Sequence, residues 1–150
     1  MGAANTTGSP AMSKIKESGL QVTHQRLAVY EALCKTTEHP TAEQVHKEVT
    51  KRFPMISLGT VYKTLERLHA VGLIKKVNPV KEVGRYEAKA ELHHHMICEK
   101  CQSIHDVHEL SGTIQFPEKP GFKITRHQVI FHGYCENCAN EQPTERFTCK

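Results

Sequence analysis

What this chain lacks bounds it first. Its 150 residues contain no apolar run approaching the ~18 residues that a membrane-spanning helix requires, so no such helix is expected. The start lacks the charged head and apolar core of a secretory signal; residues Met1 to Met12 are small and polar, with Gly and Pro, and read as a disordered tail. A cytoplasmic location is the resulting expectation. Met1-Gly2 with Thr6 fits an N-myristoylation pattern and Asn5-Thr6-Thr7 a glycosylation acceptor, but patterns this short recur by chance. There is no internal repeat and no low-complexity run. With 38% hydrophobic and 24% charged residues the composition is that of one average globular domain or two small ones. A net charge of +4, with eleven histidines uncounted, is compatible with an anionic partner and does not demonstrate one.

What is present is more informative. Cys98, Cys101, Cys135 and Cys138 are spaced as C-x2-C-x33-C-x2-C. A two-residue gap lets a tight turn aim both sulfurs at one point, and four thiolates match the closed tetrahedral coordination of structural Zn²⁺. Two disulfides or ordinary buried cysteines are the alternative, the disulfides disfavoured in a reducing cytosol. A redox pair is the other; it would need a C-x-x-C at the start of a helix inside a βαβ unit, and neither pair is expected there. Cys34 lies on an apolar helical stripe and is expected in the core, whereas Cys149 stands in a tail over residues 143 to 150.

Helical patterns run to about residue 70 and short strands follow. From Thr23 to Thr36 the residues Leu27, Tyr30, Leu33 and Cys34 recur at helical spacing, with Thr23 as the start signal. Thr41-Ala42-Glu43-Gln44 reads as a capping box for a helix whose Ala42, Val45, Val49 and Phe53 share a face. Pro54 interrupts, Ser57 caps, and a third helix carries Leu58, Val61, Leu65 and Leu68 as its stripe before Gly72. Leu73 to Val77, a turn through Asn78-Pro79 to Gly84, and Arg85 to Glu87 make a two-stranded ribbon. Helices followed by such a hairpin predict a winged helix-turn-helix.

The apolar stripe of the third helix leaves Gly59, Thr60, Tyr62, Lys63, Glu66 and Arg67 on the opposite side. Lys63 and Arg67 can neutralise phosphates or reach guanine edges, and Thr60 and the Tyr62 ring can touch thymine methyls. A solvated helix face would look similar. The Pro-Ser break before it and the hairpin after it favour DNA recognition.

Several motifs in order, Gln25-Arg26, His39-Pro40-Thr41-Ala42, Ile56-Ser57-Leu58-Gly59-Thr60-Val61-Tyr62, then His93-His94-His95-Met96-Ile97-Cys98 with the two C-x2-C pairs, resemble the ferric uptake regulator (Fur) family over residues 14 to 139. Within it the chain is most similar to the peroxide-responsive regulators (PerR). The resemblance implies an α+β protein: an N-terminal winged-helix DNA-binding domain over 13–88, a hinge at 89–92 and a zinc-containing α/β dimerisation domain over 93–142. It implies a homodimeric, metal-dependent transcription regulator, a repressor, acting on a palindromic double-stranded DNA operator, with no enzymatic activity and no membrane contact. Arg26, Ser57, Gly59, Thr60, Tyr62, Lys63 and Arg67 are the implied DNA-binding residues.

The same resemblance selects His39, Glu87, His93, His95 and Asp106 as ligands of a regulatory Fe²⁺ or Mn²⁺, while the four cysteines hold structural Zn²⁺. Three imidazoles and two carboxylates suit those ions better than thiolates would. Taken singly, each has a plainer reading: a His run can be a polar strand, Glu87 can pair with Arg85 or a lysine, His39 can be a loop residue. A metal joining the two domains would favour the arrangement that binds DNA. Peroxide sensing would run through iron-catalysed oxidation of His39 or His93. Asp106 is the peroxide-regulator residue at its position, and its short carboxylate leaves the coordination sphere open; Glu87 departs toward the iron regulators, which makes an iron-responsive regulator the alternative. Ser111 to Gly121, with Gly112, Pro117 and Pro120, leaves little or no room for the family's central helix, so the dimer would depend on a strand from Phe122 to Gly133. A further metal site of some relatives has partial counterparts in His94 and His127 but lacks a glutamate, and Leu92 replaces a histidine. From other classes, a non-haem iron enzyme and a plain structural zinc protein remain as competitors.

Overall fold

A computed structural model describes residues 9–77, 84–88, 91–112 and 114–140. The chain divides into two compact units, Met1–Ala90 and Glu91–Lys150.

In the first unit the polar punctuation of the sequence starts each helix. Ser9 caps α1 (Pro10–Glu17), Thr23 caps α2 (His24–Cys34), and Ser57 caps α4 (Leu58–Ala70), each side-chain oxygen accepting from the amide three residues on. At α3 (Ala42–Thr50) both halves of the capping box form: Thr41 Oγ1 accepts from Gln44 N, and Gln44 Oε1 accepts from Thr41 N. Gly72, at φ +76, takes the left-handed turn that ends α4. The chain returns as an antiparallel ribbon, β1 (Lys75–Val77) with β2 (Arg85–Glu87), in which Lys75 faces Glu87. The turn expected between them lies outside the described residues.

One core holds the helices together: Ile15 of α1, Val29 and Leu33 of α2, Val45 of α3, and Leu65 and Leu68 of α4 are all at 2% exposure or less. Four expectations are corrected here. The tail through Met12 ends earlier, because Pro10 sits at the first helical position, where its missing N–H costs nothing. Cys34 is exposed rather than core, since it falls at the C-terminal end of α2, past the buried Leu33. On α4, Leu58 is 36% exposed and Thr64 completes the buried face with Val61, Leu65 and Leu68, which is the i, i+3, i+4, i+7 set. Arg26 is also buried, and its guanidinium donates to the Gln21 carbonyl.

The second unit is a three-stranded sheet of order β4-β3-β5, built from β3 (His94–Cys98), β4 (Ile104–Val107) and β5 (Ile130–Gly133), followed by one helical turn, α5 (Glu136–Ala139). The central β3 pairs antiparallel with β4 and parallel with β5. The strand expected from Phe122 is therefore four residues long. In a parallel ladder that opens at His95↔Ile130, residues 122–128 run past the start of β3 and have no strand to join among the described residues, and Phe122 is 71% exposed. The described residues of 111–121 carry no helix.

Replacing Leu65 with Ala, at a fully buried position, is expected to cost about 2–5 kcal/mol. Urea unfolding should show this as a lower midpoint with an unchanged slope.

Candidate metal centres and nucleic-acid interface

Strand alternation sorts the side chains of the second unit. Successive residues of β3 point to opposite faces, so His95 and Ile97 share one face and His94, Met96 and Cys98 the other. The register places Asp106 of β4 directly opposite His95 and brings its Oδ1 to 3.8 Å from His95 Nε2 and 3.4 Å from His93 Nε2. The two imidazoles meet edge to face with centroids 4.6 Å apart, and both are almost completely buried. His93 Nδ1 lies 3.0 Å from the Glu91 carbonyl. A carbonyl can only accept, so Nδ1 carries the proton, and Nε2 is the nitrogen turned to the carboxylate. Gln128 Nε2 donates to the His93 carbonyl and to His95 Nδ1, tying both histidines to the segment before β5. Two buried imidazoles and a carboxylate converging on one side of a sheet form a nitrogen–oxygen donor set of the kind that suits Fe²⁺ or Mn²⁺.

The first unit contributes a similar pair. His39 Nε2 lies 2.8 Å from Glu87 Oε2, and both residues are buried. His39 adopts φ +50, a left-handed conformation that a non-glycine residue keeps only when its surroundings impose it. Three contacts impose it: Arg85 Nη1 donates to the His39 carbonyl at 3.1 Å, Tyr86 N donates to the Pro40 carbonyl at 3.0 Å, and Thr41 bridges Arg85. The end of the ribbon is thereby sewn to the loop before α3, which sets Glu87 beside His39. Lys75 Nζ, 3.9 Å from Glu87 Oε1, is the lysine partner that the sequence left open.

The four cysteines are brought together within the second unit, their sulfurs within 4.8 Å of one another. The Cys101 and Cys135 sulfurs stand 3.7 Å apart. A tetrahedral ion with Zn–S bonds of ~2.3 Å requires roughly 3.8 Å between sulfurs, whereas a disulfide requires ~2.05 Å. The first pair is shaped by Gln102, at φ +60, whose N–H closes the turn on the Cys98 carbonyl at 2.9 Å. The second pair opens a helix after all, because Cys135 is the N-cap of α5. No βαβ unit surrounds it, and a single turn provides little dipole. Burial pushes both Cys98 and Cys138 up. At Cys98 hydrogen bonds from the backbone of Cys135, Cys101 and Lys100 outweigh burial and bring the thiol down to about 6. Cys138, crowded by the other three sulfurs, is pushed up to about 12. Four thiolates cannot coexist this close without a cation to neutralise them, so the donor set fits Zn²⁺, whose binding would release the remaining protons.

On α4 the residues Ser57, Gly59, Tyr62, Lys63 and Arg67 are exposed and Thr60 is half-buried. Tyr62 donates from its hydroxyl to Glu43 Oε1 at 2.6 Å, which orients the ring against α3 and raises its hydroxyl's pKa. His46, a residue the sequence did not single out, lies with Nε2 2.9 Å from the Ile56 carbonyl and braces the turn before α4. Arg26, expected among the DNA contacts, is buried here with its guanidinium on the Gln21 carbonyl. His94 Nδ1 accepts from Val129 N at 3.1 Å, and its ring lies 5.6 Å from that of His127, centroid to centroid.

Such a winged helix, followed by a small sheet with a four-thiol site, is the architecture of metal-responsive DNA-binding regulators. The chain belongs to the ferric uptake regulator family, whose model matches residues 17–140. Among curated relatives it is 33% identical over 135 residues to the peroxide operon regulator of Bacillus subtilis, covering 88% of this chain and 93% of that one. Among solved structures it is similar to the Helicobacter pylori ferric uptake regulator Fur (TM-score 0.67, 24% identity, 89% of each chain). It also resembles the Campylobacter jejuni peroxide stress regulator (TM-score 0.62, 27% identity, 84% of this chain and 94% of that one). The fold is accordingly that of the family, an N-terminal winged-helix DNA-binding domain followed by a C-terminal dimerisation domain. No helix among the described residues is long and apolar enough to cross a membrane.

Cys98→Ser is expected to abolish zinc retention, read as zinc per chain after exhaustive dialysis, and to unfold the second unit, because the buried sulfur would leave three thiols with no closed shell.

Proposed function

We propose that this protein is a cytoplasmic, homodimeric, metal-dependent repressor that binds a palindromic DNA operator and senses peroxide. The observation that carries this reading is the likeness, over 88% of the chain, to a peroxide operon regulator. Residues 13–88 are the winged-helix DNA-binding domain, 89–92 the hinge and 93–142 the zinc-containing dimerisation domain. Ser57, Gly59, Thr60, Tyr62, Lys63 and Arg67 contact DNA, and Cys98, Cys101, Cys135 and Cys138 hold structural Zn²⁺.

His39, Glu87, His93, His95 and Asp106 hold one regulatory Fe²⁺ or Mn²⁺. The support is their chemistry: three imidazoles and two carboxylates, each buried or nearly so, make a nitrogen–oxygen donor set that suits those ions. A bound Fe²⁺ would lend one electron to cleave the O–O bond of H2O2 and recover it from the ring, so that the two electrons that reduce H2O2 come in the end from the histidine. The net change in the chain is the gain of one oxygen by the imidazole of His39 or His93, with water as the reduced product. Buried imidazoles held by Glu87 and by the Glu91 carbonyl have little freedom to turn away from that event. Loss of a ligand weakens metal binding, and with it the arrangement that binds DNA. Asp106, with its short carboxylate, supports peroxide sensing. Glu87, where peroxide regulators carry the shorter acid, favours the second reading, an iron-responsive regulator. A regulator rather than an iron enzyme is supported by the family match over residues 17–140 and by the likeness to a peroxide operon regulator.

His95→Ala is expected to keep its zinc and its fold but to lose metal-activated DNA binding, measured against duplexes selected from a random-sequence pool by the wild-type protein. Equal zinc loss in His95→Ala and Cys98→Ser would show that the two sites are not separate. The deciding experiment is anaerobic Fe²⁺-dependent DNA binding by zinc-loaded protein before and after stoichiometric H2O2, with peptide mass mapping. Lost binding with one added oxygen on His39 or His93 is the expected result. Retained binding with unmodified histidines would leave the iron-responsive reading, and no metal dependence at all would remove both.

A further inference from the structure

The four zinc-ligating cysteines are not equivalent. Cys98 and Cys138 are buried, whereas Cys101 is exposed. Cys135 is half-buried, so Cys101 is the most exposed of the four to water and competing chelators. Its sulfur lies 3.2 Å from Ser103 Oγ, and Ser103 Oγ lies 3.0 Å from His105 Nε2. These three side chains form a chain of hydrogen bonds leading away from the metal position, and the backbone fixes all three. Gln102 in its left-handed conformation turns Ser103 back toward Cys101. The Ser103 carbonyl accepts from Cys98 N at 2.9 Å. His105 follows two residues later on β4, on the same face, opposite Met96.

We propose that Ser103, oriented by His105, is a positioning residue for the four-cysteine centre: its hydroxyl holds the Cys101 sulfur in the ligating direction and sets how fast zinc is lost. The inference rests on the zinc reading above. A zinc-bound Cys101 is a thiolate with no proton to give, so the Ser103 hydroxyl donates to sulfur, and His105 Nε2–H donates to the Ser103 oxygen. A hydrogen bond donated to a thiolate disperses its charge and restricts its rotamer, and partners of this kind orient ligands and tune the affinity of a site.

Zinc release from the full-length protein into excess chromogenic chelator tests this. Ser103→Ala is expected to release zinc about tenfold faster than wild type, His105→Ala to fall between the two, and Ser103→Thr, which keeps the hydroxyl, to match wild type. An unchanged rate in Ser103→Ala overturns the proposal. So does a Ser103→Thr rate as fast as that of Ser103→Ala, since packing and not the hydroxyl would then be at work. A wild-type rate in His105→Ala overturns the orienting role of His105. Zinc stoichiometry of the wild type, measured first, separates these outcomes from failure of the zinc site itself, which would show as no bound zinc at all.

Discussion

The register of β3 between β4 and β5 is the constraint on which the second unit depends. Six consecutive residues, His93 to Cys98, carry potential metal donors of two different kinds, and a strand sends neighbours to opposite faces. His95 faces Asp106 while Cys98, three residues on, belongs to the other face and the thiol cluster. A slip of one residue would exchange the faces, setting an imidazole among the thiols and a sulfur against the carboxylate. The buried pair Ile97 and Ile104 on the His95 face resists that slip, because moving it would expose both isoleucines.

Each cluster of donor side chains is held by ordinary backbone chemistry. The cysteine turn depends on a left-handed Gln102, and the His39–Glu87 pair depends on a left-handed His39. Neither residue is glycine, so each conformation costs of order 1–3 kcal/mol that its neighbours must offset. At His39 the offset comes from Arg85, Tyr86 and Thr41. At Gln102 it comes from the turn bond to Cys98 and from a side-chain bond to the Glu99 carbonyl. Strain thus collects where ligands must be aimed, while the helices around them follow their local propensities and caps.

The helices of the first unit position a reading surface in the same manner. Val61, Thr64, Leu65 and Leu68 anchor α4, which obliges Tyr62, Lys63 and Arg67 to face outward. Glu43 and His46 of α3 brace it at one end, one through the Tyr62 hydroxyl and one through the Ile56 carbonyl. Rigidity of this kind is what the DNA-reading role proposed for α4 would require, since a contact misplaced by an ångström no longer discriminates.

The sequence by itself determined the caps, the helical stripes, the ribbon and the C-x2-C pairs, because each depends on residues within one or two turns of one another. It also carried the ligand types, since imidazoles, carboxylates and thiols announce their chemistry wherever they stand. Tertiary structure alone decided the rest. Arg26 and Cys34 sit on the same helix, yet the arginine is buried on a carbonyl and the cysteine is exposed, an inversion that hydrophobicity could not foretell. The strand from Phe122 shrank to four residues because a strand exists only where a partner runs beside it. The pairings of His39 with Glu87, 48 residues apart, and of Cys101 with Cys135, 34 apart, are non-local for the same reason: no local rule specifies which distant backbone will close on which.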